Sequence, residues 1–177
     1  MSPKTLYSMI LWGLILPIFA FPVAGIAPIP AIGYGMIAFA AWRLGAFSLS
    51  FRVVSVSSMI LMLLTLPTPY LPETVRTSGA VGISSLLLQC VLGWSLFSCV
   101  ARDCDAHGQI DVAAAARWRR VAYVIIMAAV PLALTFFPLP PQAPSSPFLT
   151  LLPLVTILAA YVLLVWTVQS AKIRLFP

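Results

Sequence analysis

Charge is what this sequence lacks most. Only 8% of its 177 residues are charged, against about 25% in a typical soluble domain, while 62% are hydrophobic. The mean hydropathy is +1.06. Because so few charges cannot cover a water-facing surface, we expect most of the surface to face lipid. The length suits one compact bundle rather than two domains.

Acidic residues and histidine are also scarce, with four Asp and Glu and a single His. Three of the acids, Asp103, Asp105 and Asp111, share one polar stretch, and no apolar run contains an acid. Proton or sodium coupling through a membrane carboxylate is therefore unsupported, as is intramembrane aspartyl chemistry. Because His107 is alone, a histidine cluster or an HExxH metalloprotease is excluded. We expect no catalytic set, no resident metal and no cofactor.

The three cysteines do not indicate a disulfide or a zinc site. Cys90 and Cys99 lie nine residues apart on one expected helix, about 13 Å along its axis, which is too far for a disulfide. Cys104 lies on the expected cytoplasmic side, where thiols stay reduced. The spacing Cys99-x4-Cys104-x2-His107 does not match paired zinc ligands.

Bases and prolines occupy alternate gaps between the apolar runs, which predicts a polytopic membrane protein with a cytoplasmic basic face. The net charge of +6 does not indicate nucleic-acid binding, because the bases sit at expected helix ends. One set of gaps holds Lys4, Arg43, Arg52, Arg102, Arg117, Arg119, Arg120, Lys172 and Arg174. The other set holds Pro28, Pro30, Pro67, Pro69, Pro72, Pro138, Pro140, Pro141, Pro144 and Pro147, with Arg76 as its one base.

The apolar runs predict an all-α integral membrane protein, a six-helix bundle made of three hairpins that turn at proline-rich connectors. The alternative is five spans, with a broken or re-entrant second segment. The second run is short and can span only if it continues past Arg43 to Ser50. The expected spans are 5–27, 30–50, 53–70, 79–101, 121–137 and 148–170. Residues 102–120 are expected to form a cytoplasmic loop, broken at Gly108, with a short interfacial helix.

Two groups of side chains are candidate contacts. Basic residues near the expected cytoplasmic boundary predict contacts with anions or lipid headgroups. This set is Arg43, Arg52, Arg117, Arg119 and Arg120. Polar residues of the fourth run predict either a polar cavity or hydrogen bonds that join helices. This set is Gln89, Ser84, Ser85 and Ser95.

One stretch carries a resemblance. The residues Ile29-Pro30-Ala31-Ile32-Gly33-Tyr34, with Leu44 and Phe51 after them, resemble small multi-pass bacterial membrane proteins with an "ilPdfIGYili" opening to a short second helix. Ala31 stands where that pattern has an acidic residue. The resemblance covers about 25 residues and implies a bacterial inner-membrane protein with a short second helix. That group has no assigned function, so it implies no site residues.

These observations predict a non-catalytic membrane protein, an accessory or structural subunit that packs against partner membrane proteins and lipids. Alternatively, the protein could assemble with copies of itself as a homo-oligomer. We expect it in a bacterial inner membrane, with both termini on the cytoplasmic side. Two alternatives stay open. One is a small transporter or channel for a small or anionic solute. The other is a lipid-modifying enzyme, which would need a metal at Asp103, Asp105 and Asp111.

Overall fold

The computed structural model of the protein describes residues 1–19, 29–45, 49–67, 70, 79–136 and 147–176. Within these ranges the chain forms six α-helices and no strand, which confirms the all-helical prediction with six helices. The helices are α1 (Pro3–Phe19), α2 (Ile29–Leu44), α3 (Leu49–Thr65), α4 (Gly79–Ala106), α5 (Ile110–Phe136) and α6 (Pro147–Leu175).

The helices form a closed ring in chain order. Each helix packs against the next one, α6 packs back against α1, and α4 also touches α6 across the ring. Paired contacts show that neighbouring helices run antiparallel, as short connections favour. The contact pairs that fix these directions are Gly13–Ile37 and Pro17–Gly33, Ser55–Ala38 and Arg52–Gly45, and Arg120–Ser98 and Tyr123–Gln89. Between α3 and α4, Arg102 bonds to Ser50, while Ile60 and Leu88 line one groove further along. Between α5 and α6, Arg119 bonds to Thr167, while Asp111, near the start of α5, and Arg174, near the end of α6, line one groove.

Antiparallel packing gathers the helix ends that carry the bases. We call this the basic end, where α1, α3 and α5 begin and α2, α4 and α6 end. It carries Lys4, Arg43, Arg52, Arg102, Arg117, Lys172 and Arg174. Arg119 and Arg120 lie further along α5, about 14 Å from its start. The connectors with Pro28, Pro69, Pro72, Pro138, Pro140, Pro141 and Pro144, and also Arg76, lie outside the described residues.

Three helix ends at the basic end are set by local chemistry. Ser2 caps α1, because its side-chain and backbone oxygens both accept from the Thr5 amide, and Pro3 follows at the first helical position. Gly45 ends α2, its amide donating to Ala41 and Trp42 oxygens. Gly108 ends α4 with a φ of 73°, and the amides of Gly108 and Gln109 close the pattern of a glycine C-cap. The predicted break at Gly108 is confirmed.

Two expected segments are shaped differently in the structure. The second segment does not continue as a helix to Ser50, because α2 ends at Leu44 and α3 begins at Leu49. The stretch 102–120 is not a loop with a separate short helix. Instead α4 continues to Ala106, and α5 runs from Ile110 through the arginines into the apolar run without interruption. The reason is local: after Gly108, no glycine or proline interrupts the alanine-rich start of α5 before Pro131.

The core is apolar and draws on all six helices. Its largest fully buried side chains are Tyr7, Ile10, Leu14, Ile37, Phe51, Val54, Leu61, Leu96, Phe97, Tyr123, Met127 and Leu164. In contrast, all five tryptophans lie on the outside, with exposed fractions from 44% at Trp94 to 75% at Trp118. The largest indole surfaces therefore do not contribute to the core.

Two described helical stretches, Ile83–Ala106 and Val155–Leu175, are long and apolar enough to cross a membrane. This criterion rests on length and composition, which the core helix of a soluble protein also meets. The first three helices are apolar but shorter, with 17, 16 and 17 residues. At 1.5 Å per residue they extend about 25 Å, somewhat less than the roughly 30 Å of a bilayer hydrocarbon core.

Candidate functional site

Three tyrosines and a glutamine meet in the interior of the ring, and we call them the tyrosine cluster: Tyr34, Tyr123, Tyr161 and Gln89. The hydroxyls of Tyr34 and Tyr161 lie 3.0 Å apart. The Gln89 side-chain amide donates to the Tyr34 hydroxyl at 3.4 Å, and the Tyr123 hydroxyl donates to the backbone oxygen of Gln89 at 3.1 Å. These bonds join α2, α4, α5 and α6, which are not all neighbours in the ring.

Burial makes these bonds necessary. Tyr34, Tyr123 and Tyr161 are at most 5% exposed, and Gln89 is half-buried. A buried hydroxyl without a partner costs about 1–3 kcal/mol, so the cluster favours one arrangement of the four helices over slipped ones. Gln89 lies thirteen residues before Arg102 on α4, about 20 Å from the basic end. The cluster is therefore deep in the bundle, and its groups are neutral hydrogen-bonding partners.

We predict that Tyr34→Phe and Tyr161→Phe are not additive. Each variant breaks the same hydroxyl–hydroxyl bond, so the double variant should lose less stability than the two single losses combined. The coupling should be about 0.6 kcal/mol and no more than about 1.7 kcal/mol, the range of interhelical hydrogen bonds in a helical membrane protein. Unfolding with sodium dodecyl sulfate in mixed micelles measures it. Tyr70→Phe is the control, because Tyr70 is 85% exposed. Strict additivity would contradict the bond.

About 14 Å from the start of α5, two consecutive arginines reach to opposite neighbours. The Arg120 guanidinium lies 4.1 Å from the ring centre of Trp94 and donates to the Ser98 hydroxyl, both on α4. The Arg119 guanidinium lies 4.3 Å from the ring centre of Trp166 and donates to Thr167 on α6. Both arginines are half-buried. They therefore connect α5 to α4 and α6, in addition to any headgroup contact.

The other predicted basic contacts are more exposed. Arg117 pairs with Asp105 across the α4–α5 turn, on a solvent-facing surface where such pairs contribute little. Arg43, in the last turn of α2, lies 5.7 Å from the ring centre of Phe39 on its own helix. The structure thus places Arg43 in the last turn of a helix and not in the middle of one. Arg52, in the first turn of α3, is exposed.

Arg52 stands where two outer grooves meet. One groove, about 350 Å³, lies between α3 and α4, and its lining is Arg52, Val53, Val56, Ser57, Ile60, Leu88 and Val91. The other, about 460 Å³, lies between α2 and α3, and its lining is Trp42, Gly45, Arg52, Ser55 and Val56. Among the described residues the only salt bridge joins Arg117 to Asp105, so no described carboxylate neutralises Arg52.

Asp103 is held by the first helix. The Tyr7 hydroxyl donates to the Asp103 carboxylate at 2.5 Å, and the Tyr7 ring packs edge-on against Phe51 and also against Phe176. One side chain of α1 therefore contacts α3, α4 and the end of the chain, which closes the ring at the basic end. The three aspartates of this region have separate surroundings, and in the described part of the chain no three His, Cys, Asp or Glu converge on a point.

The polar set predicted on α4 divides. Gln89 belongs to the tyrosine cluster, whereas Ser84 is exposed and Ser85 and Ser95 are half-buried. The cysteines Cys90, Cys99 and Cys104 are free thiols. Sequence reasoning missed Tyr34, Tyr123 and Tyr161, since a tyrosine in an apolar run is typical of an ordinary core. The sequence signal for them was weak. It consisted of three tyrosines in three different apolar runs, and each tyrosine hydroxyl needs a hydrogen-bond partner when it is buried.

Comparison with known proteins finds no relative of this chain. No protein-family model matches the sequence, and neither a curated protein nor a solved structure is similar to it.

Proposed function

We propose that this protein is a non-catalytic integral membrane protein, an accessory or structural subunit whose outer face packs against lipids and partner membrane proteins. The observation that carries the proposal is the outer surface of the ring. All five tryptophans and rows of aliphatic side chains are exposed there, while the bases gather at one end. Soluble monomers rarely expose such continuous apolar surface.

The exposed apolar residues follow helical spacing, so they form stripes rather than scattered points. On α4 the stripe is Ile83, Leu87, Val91 and Trp94. On α3 it is Val53, Val56, Met59, Ile60 and Leu63, and on α6 it is Val155, Leu158, Val162 and Trp166. Each helix buries its other faces against its ring neighbours, so these stripes face outward. Hydrocarbon chains or apolar faces of other helices suit such surfaces.

The tryptophans support a membrane boundary near the basic end. Trp94 and Trp166 lie at the depth of Arg120 and Arg119, and Trp42 lies in the last turn of α2 beside Arg43. Indole rings favour the headgroup region, where one edge is apolar and the other is wet. The basic end then lies on the cytoplasmic side of a bacterial inner membrane, because positive residues are retained on that side. Both termini lie on the same side.

A non-catalytic role is supported by how the polar groups are used. Asp103 accepts from Tyr7, Asp105 pairs with Arg117, and Arg119 and Arg120 bind neighbouring helices. These groups hold helices together rather than converge on one point. The same arrangement makes the lipid-modifying enzyme the weakest of the three functions, since two of the three acids that it would need have other partners.

A small transporter or channel is the second candidate, because the tyrosine cluster places hydrogen-bonding groups deep in the ring. Gln89→Leu tests it in proteoliposomes. A transporter that uses the cluster would show a solute flux in the wild type that this variant abolishes. An accessory subunit would show no flux in either.

The proposal predicts two results from native membranes. The protein should stay in the membrane pellet after carbonate extraction at high pH, because its apolar stripes need lipid. Mild-detergent purification through a C-terminal tag should then yield a partner membrane protein in fixed ratio. Release into the carbonate supernatant would overturn membrane insertion. A protein that is retained but purifies alone, as a homo-oligomer, would overturn the accessory role while leaving the insertion intact.

A further inference from the structure

We propose that Arg52 and the two grooves beside it form a binding site for one anionic phospholipid, with the phosphate at Arg52 and an acyl chain between α3 and α4. This inference rests on the proposed membrane insertion. It goes beyond general attraction of basic residues to headgroups, because it names one site, one base and one direction for the chain.

The groove between α3 and α4 has the composition and direction of an acyl-chain site. Apart from Arg52 at its mouth and Ser57, the described residues that line it are aliphatic. The Ser57 hydroxyl needs no hydrogen bond from a ligand, because it donates to the backbone oxygens of Val53 and Val54. From Arg52 to Ile60 the groove follows α3 for eight residues, about 12 Å away from the basic end.

The groove between α2 and α3 suits a headgroup. It lies at the end of α2, beside the Trp42 indole and Gly45. Its Ser55 hydroxyl already donates to the Ala38 backbone oxygen, so within the described lining Arg52 and Trp42 are the side chains left to donate to a phosphate or glycerol. Arg52 and Val56 line both grooves, so a headgroup in one and a chain in the other would be continuous.

Charge selects an anionic lipid. Arg52 is exposed and has no carboxylate partner among the described residues, and Arg102 binds Ser50 in the same first turn of α3. A guanidinium at this position suits a phosphate, which it can bind through two parallel hydrogen bonds. A second positive charge nearby favours a headgroup with net negative charge over a zwitterionic one.

The test is a lipid titration by native mass spectrometry on delipidated protein in detergent, with phosphatidylglycerol and phosphatidylcholine as probes. Arg52→Gln should weaken phosphatidylglycerol binding about tenfold, the effect of losing a hydrogen bond to a charged group. Phosphatidylcholine binding should change less. Arg43→Gln is the matched control, because Arg43 is also exposed at the basic end but lines neither groove. It should leave both affinities within about twofold, because it lies outside both grooves and salt screens exposed charges.

A second pair of variants tests the chain groove. Val56→Trp should weaken the binding of both lipids, because the indole fills the groove. Val162→Trp, on the similarly exposed stripe of α6, should leave the binding of both lipids unchanged. Equal losses from Arg52→Gln and Arg43→Gln would overturn the site in favour of diffuse attraction. Full competition by glycerol 3-phosphate at concentrations equal to the lipid would show a site for a free anion and would also overturn it. Either result leaves carbonate-resistant membrane insertion, and so the proposed function, intact.

Discussion

Gly33→Ala should lower the free energy of unfolding by about 3 kcal/mol, the upper range for overpacking a close contact. A Cβ on Gly33 would lie 2.7 Å from the Gly13 backbone oxygen and 2.9 Å from Cδ of Pro17. Neither atom belongs to a flexible side chain, so α1 would have to move away from α2. Gly13 and Gly33 face each other, so a Cβ on either glycine would meet the backbone oxygen of the other.

Gly35→Ala is the matched control, on the same helix and with the same chemical change. Among the described residues its Cβ would meet only the Met62 sulfur, at 3.2 Å, and a methionine side chain can give way. Alanine also favours a helix over glycine by about 1 kcal/mol, so Gly35→Ala should be neutral or stabilising. Unfolding with sodium dodecyl sulfate in mixed micelles, followed by tryptophan fluorescence, measures both. Equal effects of the two variants would show that α1 and α2 are not closely packed at Gly33.

Gly93→Ala should cost about 2–3 kcal/mol for a different reason. Its Cβ would lie 2.2 Å from Cε1 and 2.6 Å from Cζ of the Tyr123 ring, so the ring must leave its position. The ring is buried against Phe97, and its hydroxyl donates to the Gln89 backbone oxygen. Displacing it therefore weakens the contact of α4 with α5 and removes one bond of the tyrosine cluster.

Tyr123→Leu provides the internal check on this prediction. With the ring removed, the clash at position 93 disappears, so Gly93→Ala should cost less than about 1 kcal/mol in that background. The two substitutions should thus couple by more than about 1 kcal/mol, as neighbouring sites that share a contact do. The same detergent unfolding of the four proteins gives the coupling. If Gly93→Ala costs as much in the Tyr123→Leu background as in the wild type, the effect originates elsewhere than the Tyr123 ring.

The fold was predictable wherever a local rule decided it. Apolar runs gave the six helices, and Gly108 marked a helix end because only glycine readily takes its positive φ. The prediction for the second segment was wrong because it extended the helix past Arg43 to reach a membrane-spanning length. The Gly45 amide instead ends α2 by bonding back to Ala41 and Trp42. Length required by a membrane is a weaker signal than a glycine at a helix end.

The candidate sites were predictable by residue type but not by partner. The sequence singled out Gln89, yet could not show that it meets Tyr34, 55 residues earlier, and Tyr123, 34 residues later. It grouped Arg119 and Arg120 with Arg52 as headgroup contacts. Packing then placed the first two against Trp166 and Trp94 and left Arg52 exposed between two grooves. Which of several similar bases meets a protein partner depends on the neighbouring helix.

By itself, the sequence determined that the chain is helical and that bases and prolines occupy alternate gaps between the apolar runs. These are properties of composition and order, because each helix forms its own backbone hydrogen bonds and each end signal is local. Only the tertiary structure decided that the helices close into a ring, that three distant tyrosines share one buried cluster, and that Arg52 lies at the meeting of two grooves. Such arrangements depend on how helices rotate and approach one another, and at Gly33 and Gly93 that approach depends on the absence of one methyl group.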